Sequence, residues 1–286
     1  MKVSLFTDYG ALNSPPVFKA FAEGCPEDIV YNDMDADVAV IWSILFTGRM
    51  KKNKVVWDHF TKLNKPIIVI EVGSIFRDKT WRVGIGGINN LANFANKEHL
   101  DIDRINKFKI RVRPYKENNQ YSEFITIATQ RQDSSQWKDM PSTDKWIKSC
   151  VEEIKKYSKK PIVIRPHPRD KVTNYNKLAE ELPELYFDLP ISTGLSDSVN
   201  FKDILKRTWC VVNYSSGPAL EAILNGVHIF TGPNSIAHSL SIRDWKDIEN
   251  PPRIDRTQWL HEFVHTEWWT EEIKEGIPWN RLRPYL

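Results

Sequence analysis

The sequence has too few cysteines, in the wrong arrangement, for a disulfide framework or a zinc site. Cys25, Cys150 and Cys210 are far apart, lack the spacing of metal ligands and leave one over if two were bridged. Long apolar runs are also missing, since none approaches the ~20 residues that cross a bilayer, and the residues after Met1 lack the features of a signal peptide. We therefore expect a cytoplasmic protein with no stable membrane insertion.

An excess of charge of one sign is absent too. Forty Lys and Arg residues stand against 37 Asp and Glu residues, which gives a formal net charge of +3. No global basic field therefore indicates a nucleic-acid partner, and such a partner would require a local patch. In contrast, 41% of the residues are hydrophobic and eleven are Trp, which excludes a disordered chain. The 286 residues suffice for roughly two domains of ~100–200 residues each.

Short apolar runs alternate with amphipathic stretches along the chain. Runs of this kind are typical of buried parallel strands, and their alternation with helices predicts an α/β fold. The predicted strands are residues 3–6, 38–42, 66–72, 124–128, 161–165, 210–212 and 227–230. The predicted helices are residues 17–23, 144–157, 174–182, 201–206 and 219–224.

A stretch rich in Lys, Arg and Asn, residues 107–119, separates two series of strands and helices. We place the domain boundary near it and predict a first domain of residues 1–120 and a second of residues 121–256. A Pro251-Pro252 break precedes the amphipathic segment 257–274. We predict that this segment is a helix that returns to the first domain, so that residues 257–286 belong there.

The most informative motif is Arg-Pro-His-Pro-Arg at residues 165–169, directly after an apolar strand. Ligands of open α/β sheets bind outside the carboxyl ends of the strands, which is where Arg165, His167 and Arg169 would stand. Two fixed guanidinium groups are suited to hold a diphosphate in a bidentate manner. The alternative is a rigid surface turn with solvated charges.

A second strand ends in Asn-Tyr-Ser-Ser-Gly-Pro-Ala-Leu-Glu-Ala at residues 213–222. Ser215, Ser216 and Gly217 precede a helix, and the backbone N–H groups at a helix N-terminus form an anion site that suits a phosphate. Glu221 lies one turn further in, where a carboxylate can accept hydrogen bonds from ribose hydroxyls. The alternatives are an ordinary helix cap and an acidic residue that only complements the helix dipole.

A third polar segment, residues 127–136, also follows a predicted strand. Loops at such positions can close over a ligand, and Gln130, Gln132 and Asp133 are the candidates. A polar connection without a binding role is the alternative.

The three motifs together resemble a known family. In their order along the chain they are similar to the capsule-polysaccharide synthesis family of GT-B glycosyltransferases. The segments are Thr-Gln-Arg-Gln-Asp-Ser-Ser-Gln at 129–136, Arg-Pro-His-Pro-Arg at 165–169 and Tyr-Ser-Ser-Gly-Pro-Ala-Leu-Glu-Ala at 214–222, with Thr-Gly-Pro at 231–233. That family includes bacterial Kdo transferases. The resemblance covers roughly residues 124–240, and the first 120 residues match no family.

The resemblance implies a GT-B fold, in which two Rossmann-like domains face each other across a cleft. It also implies that His167 and the neighbouring arginines contact donor phosphates, that Ser215 and Ser216 lie at the phosphate-binding helix, and that Glu221 faces the nucleotide ribose. The chain is short for a capsule enzyme, and Arg165 stands where the family commonly has Lys. The donor's identity is therefore not transferable, although we favour a UDP-sugar over a CMP-sugar.

The first domain is expected to supply the acceptor site and a carboxylate base. For an inverting transfer, such a base takes the proton of the acceptor hydroxyl as the leaving diphosphate is stabilised. Glu71 and Asp8 each stand at a predicted strand end, and His167 is the third catalytic candidate. Each carboxylate has the alternative role of capping a turn.

A loop of mixed Gly, Arg, Lys, Trp and Asn residues, 73–90, follows Glu71. It is either an acceptor-binding insertion or a hairpin. In the first case Arg77, Lys79 and Arg82 would meet phosphates, and Trp81 would stack on a base or a sugar. Its glycines are not a dinucleotide-binding fingerprint, because the required Gly-x-Gly-x-x-Gly is absent.

No metal requirement is expected. Asp33, Asp35 and Asp37 have the spacing of a divalent-metal clamp, but they precede a strand and are better explained as a solvated turn. We expect no bound cofactor beyond the nucleotide-sugar cosubstrate.

The sequence is compatible with three functions, which differ in the acceptor or in whether the protein is an enzyme. The leading hypothesis is a phage DNA-modifying glycosyltransferase of the host cytoplasm, which adds a sugar to the hydroxymethyl group of a pyrimidine flipped out of duplex DNA. The basic residues of 107–116 and the loop after Glu71 favour it, whereas the near-neutral charge does not. The alternatives are a transferase that builds a capsule or lipopolysaccharide glycan, and a non-catalytic module that binds nucleotide-sugars or nucleic acids.

Overall fold

A computed structural model describes residues 1–119, 121–190 and 201–286. The chain forms two compact units. Unit 1 consists of Met1–Lys109 and Thr257–Leu286, and unit 2 consists of Ile110–Arg256. Unit 2 thus begins ahead of the boundary predicted after residue 120, and Gln120 itself lies outside the described residues.

The secondary structure alternates between strands and helices throughout the described residues. The strands are β1 (Lys2–Leu5), β2 (Asp28–Tyr31), β3 (Val38–Trp42), β4 (Ile67–Val72), β5 (Thr80–Ile85), β6 (Phe124–Ala128), β7 (Ile162–Arg165), β8 (Tyr186–Phe187), β9 (Thr208–Asn213), β10 (His228–Thr231) and β11 (Glu267–Trp269). The α-helices are α1 (Pro15–Gly24), α2 (Asn53–Lys62), α3 (Arg104–Phe108), α4 (Thr143–Tyr157), α5 (Tyr175–Glu181), α6 (Phe201–Leu205), α7 (Gly217–Leu224), α8 (Thr257–Val264), α9 (Thr270–Lys274) and α10 (Ile277–Leu282). Short 3-10 helices span Thr7–Tyr9, Gly48–Lys52, Ser135–Trp137, His238–Leu240, Trp245–Asp247 and Arg283–Tyr285.

Unit 1 contains a six-stranded mixed sheet in the order β11-β5-β4-β3-β1-β2. Strands β2, β1, β3 and β4 are parallel, whereas β5 is antiparallel to both β4 and β11. The central strand β3 is buried on both faces: Trp42 belongs to the cluster under α1 and the C-terminal helices, while Ile41 and Phe60 belong to the cluster under α2. Such double burial explains why β3 and β4 appear in the sequence as continuous apolar runs.

The C-terminal segment is an integral part of unit 1. Helix α9 packs so closely on α1 that a Cβ added to Gly24 would lie 2.2 Å from the carbonyl oxygen of Ile273. Trp279 of α10 is buried and makes an edge-to-face contact with Phe21 of α1. The predicted return of the segment is therefore confirmed, although it contains three helices and strand β11 rather than one helix.

Unit 2 contains a five-stranded sheet in the order β10-β9-β6-β7-β8, and every adjacent pair of strands is parallel. Its core joins the apolar residues of β6, β7 and β9 to Ile147 and Ile154 of α4. Because all five strands are parallel, their carboxyl ends lie along one edge of the sheet. This edge positions the motifs that the sequence singled out.

The predicted fold class is confirmed, since both units are α/β layers with mainly parallel sheets. All seven predicted strands are present within a few residues of their predicted ends. The sequence missed four strands, β2, β5, β8 and β11. β8 is only two residues long, and β5 contains a glycine and two polar residues within a stretch that looks like a loop.

None of the helices that the structure describes is long and apolar enough to span a membrane.

Candidate active site

The motif residues of unit 2 gather where the parallel strands end. Gln130 follows β6, His167 follows β7 and Ser215 follows β9, and these three strands are neighbours in the sheet. The side chain of Gln130 accepts hydrogen bonds from both the N–H and the hydroxyl of Ser215, each at 3.2 Å. Two of the three predicted motifs are thus in direct contact.

Asn213, the last residue of β9, ties the Ser215–Ser216 segment to the sheet. Its Nδ2 donates to the carbonyl oxygen of Ala128 at 2.8 Å and to the Ser216 hydroxyl at 2.9 Å. Its Oδ1 accepts from the Ser216 N–H at 2.9 Å. Since Asn213 is buried, these bonds hold the start of α7 in one position relative to β6.

Helix α7 begins at Gly217, directly after the two serines. A Cβ added to Gly217 would meet no heavy atom within 4 Å, so open space lies next to the first turn of the helix. The first N–H groups of a helix have no partner within the helix, and the helix dipole adds positive potential there. The segment therefore has the geometry of an anion site.

His167 is fixed by backbone hydrogen bonds on both sides. Its N–H donates to the Thr129 hydroxyl at 3.0 Å, and its ring Nδ1 accepts from the N–H of Arg169 at 3.0 Å. A neutral ring in this arrangement carries its proton on Nε2, which makes that atom a hydrogen-bond donor. The Arg169 side chain is exposed.

Arg165 does not stand free at the strand end as predicted. Its side chain is only 4% exposed, and its guanidinium forms an ion pair with Asp188, whose backbone carbonyl also accepts from it. A buried guanidinium requires a carboxylate partner, and Asp188 follows the neighbouring strand β8. Arg165 thus serves to link β7 to the residues after β8.

Gln132 and Asp133 are engaged within their own loop. The side-chain oxygen of Gln132 accepts from the Thr143 N–H at 2.8 Å and so occupies one of the unpaired donors at the start of α4. Asp133 accepts two hydrogen bonds from Arg131, and these bonds hold the pKa of its carboxyl below the ordinary value. Of the predicted residues Gln130, Gln132 and Asp133, the hydrogen bonds described here join Gln130 to Ser215 and the other two to Thr143 and Arg131.

Glu221 is half-buried on α7. Burial raises the pKa of its carboxyl, and the charge of Lys202 on α6 opposes that shift only in part. A half-buried carboxyl group is suited to form hydrogen bonds with hydroxyl groups.

An aromatic cavity of about 330 Å³ adjoins the ends of β9 and β10. Its walls include the stacked rings of Phe230 and Trp245, whose centroids are 4.1 Å apart, and the rings of Trp146 and Tyr214. Its polar lining residues are Asn213, Thr231, His238 and Arg243. This cavity was not predicted from the sequence. The pattern that indicates it is that Tyr214 and Thr231 lie at the ends of two adjacent strands, with His238 and Trp245 shortly after them.

In unit 1, Glu71 lies on β4 beside Ser43, the residue that follows β3. The Ser43 hydroxyl donates to Oε2 of Glu71 at 2.6 Å, and the N–H of Val72 donates to Oε1 at 2.8 Å. Glu71 is half-buried, so the carboxylate remains within reach of a ligand. Sequence reasoning missed Ser43, although a small hydroxyl residue immediately after a buried strand is the expected signal.

Asp8 is exposed in the short helix Thr7–Tyr9, which follows β1. Strands β1, β3 and β4 are parallel, so Asp8, Ser43 and Glu71 all lie toward the carboxyl edge of the sheet of unit 1. Both predicted bases are thus placed at this edge, and Glu71 alone is held by hydrogen bonds from its surroundings.

The segment after Glu71 is a hairpin rather than an acceptor-binding insertion. Strand β5 pairs antiparallel with β4, and Trp81 is 4% exposed, packs against Trp42 and donates to the Thr270 hydroxyl at 2.8 Å. Arg82 is buried and ion-paired with Glu267 at 2.9 Å. Neither side chain is presented to a ligand, because both complete the interior of unit 1.

Arg77 and Lys79 differ from these two residues, since both are exposed in the turn between β4 and β5. That turn is held by Glu267, whose carboxylate accepts from the N–H of Ser74 at 2.6 Å and of Ile75 at 3.2 Å.

Among residues 1–119, 121–190 and 201–286, no group of three or more His, Cys, Asp or Glu side chains is arranged to hold a metal ion.

No family model matches the sequence, and curated proteins provide no significant match. Solved structures do match. KpsC of Thermosulfurimonas dismutans, a beta Kdo 2,4 transferase, superposes with a TM-score of 0.55 at 14% identity over 94% of this chain and 92% of its own. A beta Kdo 2,7 transferase, also KpsC of that organism, gives a TM-score of 0.54 at 12% identity over 98% of this chain and 100% of its own. At such low identity the likeness shows the fold, which is the GT-B fold with two Rossmann-like units.

Proposed function

We propose that this protein is a glycosyltransferase that moves a sugar from a nucleotide-sugar donor to a hydroxyl group of a cell-surface glycan. The observation that carries the proposal is the convergence of Gln130, His167 and the Ser215–Ser216 segment at one sheet edge of unit 2. These residues combine an anion site with a histidine donor, which is the chemistry that a sugar diphosphate or monophosphate requires.

The donor phosphates are proposed to bind at the start of α7. The hydroxyl of Ser216 and the N–H groups near Gly217 are the proposed donors. Ser215, whose N–H and hydroxyl both donate to Gln130, and Asn213 fix the segment before a ligand arrives. Preorganised donors of this kind stabilise the negative charge that develops on a leaving phosphate.

The aromatic cavity beside that segment suits the nucleobase. Aromatic rings such as Trp146, Tyr214 and Trp245 offer stacking surfaces, and the guanidinium of Arg243 offers hydrogen-bond donors. Because the cavity adjoins Asn213 and Tyr214, a base bound there would carry its phosphates toward the start of α7. Glu221, further along the helix, is the proposed partner of the ribose hydroxyls.

His167 is proposed to contact the leaving phosphate. Its Nδ1 accepts from the Arg169 N–H, and the phosphate contact is proposed for the other ring nitrogen, Nε2. Arg169, whose side chain is exposed, is the proposed second cation. Arg165 has no direct role in this proposal, since its guanidinium is bound to Asp188.

Glu71 is the proposed general base of unit 1. In an inverting transfer its carboxylate takes the proton of the acceptor hydroxyl, the acceptor oxygen bonds to the anomeric carbon, and the bond from that carbon to the donor phosphate breaks with its electron pair. Asp8 is the alternative base. That the two units face each other across a cleft stays a prediction, as does the absence of a metal requirement.

A glycan acceptor replaces the DNA acceptor that the sequence favoured. The two structural neighbours described above are named as transferases of Kdo, a sugar, which favours a glycan over DNA as the acceptor. The loop that was expected to contact DNA also loses two of its four candidates, because Trp81 and Arg82 are buried. A hydroxymethylated pyrimidine in DNA therefore becomes the second candidate.

The test is nucleotide release from a panel of UDP-, GDP- and CMP-sugars, measured with bacterial capsule and lipopolysaccharide oligosaccharides or with hydroxymethylated duplex DNA. The proposal expects one donor to be consumed faster when a glycan is present. Stimulation by the DNA alone would favour the second candidate. If no donor is bound or consumed under any condition, the glycosyltransferase proposal is wrong.

The variant His167→Ala sharpens the test. Loss of the Nε2–H donor is expected to lower donor turnover at least roughly 100-fold, while the unfolding temperature changes little because the ring is only partly buried. The matched control is His59→Ala, a half-buried histidine on α2 of unit 1. Wild-type rates in His167→Ala would remove this residue from the site.

A further inference from the structure

Ser43 occupies a backbone conformation that its side chain does not favour. Its φ angle is +62°, in the left-handed region where glycine is the residue with the least strain. The backbone is held there, since the Ser43 N–H donates to the carbonyl oxygen of Ile70 at 2.8 Å. The position therefore demands a glycine-like conformation and yet carries a hydroxymethyl group.

That hydroxymethyl group has one strong interaction. The hydroxyl donates to Oε2 of Glu71 at 2.6 Å, and it accepts a longer hydrogen bond of 3.2 Å from the Leu45 N–H. Ser43 is 0% exposed, so water cannot replace either bond. Residues held in strained backbone conformations cluster at active sites, where the strain can be part of the preorganisation of the site.

Each oxygen of the Glu71 carboxylate accepts one hydrogen bond. Ser43 binds one oxygen and the Val72 N–H binds the other, so each oxygen keeps a lone pair for another partner. Arg82, which lies opposite Glu71 on β5, does not compete for it in this arrangement, because its guanidinium is paired with Glu267.

We propose that Ser43 is a positioning residue that holds the Glu71 carboxylate in the orientation needed to accept the proton of the acceptor hydroxyl. This inference rests on the proposed function, in which Glu71 is the base. A general base must be placed within hydrogen-bond reach of the proton it accepts, and loss of orientation lowers kcat rather than substrate binding.

The test is Ser43→Gly in the full chain, because glycine accepts the φ angle and only the hydroxymethyl group is lost. The measured reaction is nucleotide release from whichever UDP-, GDP- or CMP-sugar the wild type consumes with a glycan acceptor. We expect kcat to fall roughly 10- to 100-fold, with the KM values within about twofold. In a Glu71→Gln background, Ser43→Gly should change kcat by less than about twofold, since no carboxylate remains to be positioned.

Two further variants separate this role from a structural one. Ser4 is also 0% exposed, on β1, and its hydroxyl accepts from the Asp33 N–H at 2.8 Å, so Ser4→Ala should lower stability without a change in kcat. Ser43→Ala should lose as much kcat as Ser43→Gly and be less stable, because alanine keeps the strained φ angle.

The possible results separate a failure of the positioning role of Ser43 from a failure of the proposed function on which it depends. If the wild type consumes no donor, the proposed function is wrong and the inference falls with it. If Glu71→Gln is fully active, Glu71 is not the base and Ser43 has nothing to position. If Glu71→Gln is inactive while Ser43→Gly keeps wild-type kcat, or if the two losses simply multiply, the positioning role alone is overturned.

Discussion

The two units treat the polar residues at their sheet edges differently. In unit 2 the residues after β6, β7 and β9 contact one another through hydrogen bonds such as Gln130 to Ser215. In unit 1 Thr80 and Arg82 of the β4–β5 hairpin are buried, and Arg82 ends in a buried ion pair with Glu267. Polar residues that follow the strands of unit 2 thus bind one another, whereas in unit 1 a buried ion pair joins the hairpin to β11.

The difference has a structural cause. The sheet of unit 2 is entirely parallel, so each strand must end at the same edge of the sheet before the chain crosses back. In unit 1 the chain turns back after β4 and forms the antiparallel strand β5, which β11 then covers. A hairpin covered by a further strand places its side chains in the interior, where charges need partners.

Breaking the ion pair of unit 1 is expected to have the largest effect. In Glu267→Gln the guanidinium of Arg82 keeps no carboxylate partner, and the backbone N–H of Ser74 loses a charged acceptor. Removal of one member of a buried pair costs about 3–5 kcal/mol of unfolding free energy. Hydrogen exchange should show lost protection in β4, β5 and β11 of unit 1, with unit 2 unchanged.

Asp58→Asn is the control for that prediction, because Lys54 and Asp58 form an exposed ion pair on α2 and such pairs contribute about 0–1 kcal/mol. Equal losses of protection in the two variants would contradict the assigned role of Glu267.

The second prediction concerns pH and unit 2. His228 is buried between the rings of Tyr115 and Trp209, and burial, aided by Arg253 and Arg256, lowers its pKa from 6.5 to about 4. The unfolded chain therefore binds a proton that the folded chain does not, between these two values. The unfolding free energy of unit 2 should fall as the pH drops from 6.5 to about 4, by on the order of 3 kcal/mol.

His228→Phe removes this titrating side chain, so the unfolding free energy of unit 2 should depend less on pH between 6.5 and about 4. The measurement is urea unfolding at constant ionic strength. His99→Asn, at an exposed position of unit 1, is the control and should leave the slope unchanged. An unaltered slope in His228→Phe would assign the acid sensitivity to other groups.

Sequence reasoning was most successful where a motif follows a continuous apolar run. The runs that became β6, β7 and β9 are buried on both faces, so their ends, and with them Gln130, His167 and Ser215, could be located from the sequence. The roles within a motif were harder to predict, because they depend on partners distant in sequence. Arg165 pairs with Asp188, which no local pattern connects to it.

Unit 1 was harder to predict for the same reason. β11 lies nearly 200 residues after β5, and without it Trp81 and Arg82 read as members of a polar loop. Ser43 is invisible as a site residue until the register of β3 and β4 places it beside Glu71. The sequence therefore identified Glu71 without Ser43, the residue whose hydroxyl donates to its carboxylate.

The smallest expected effect concerns Lys79, which is exposed in the β4–β5 turn. If this turn contacts the acceptor, Lys79→Ala should raise the acceptor KM by at most about threefold, because an exposed charge contributes about 0–1 kcal/mol, and added salt should remove the difference. Trp81→Phe, in the same hairpin, should lower stability and leave the KM unchanged, since that ring is 4% exposed. A tenfold fall in kcat for Lys79→Ala would instead show that the hairpin reaches the reacting atoms. The β4–β5 hairpin of unit 1 would then belong to the active site, like the strand ends of unit 2.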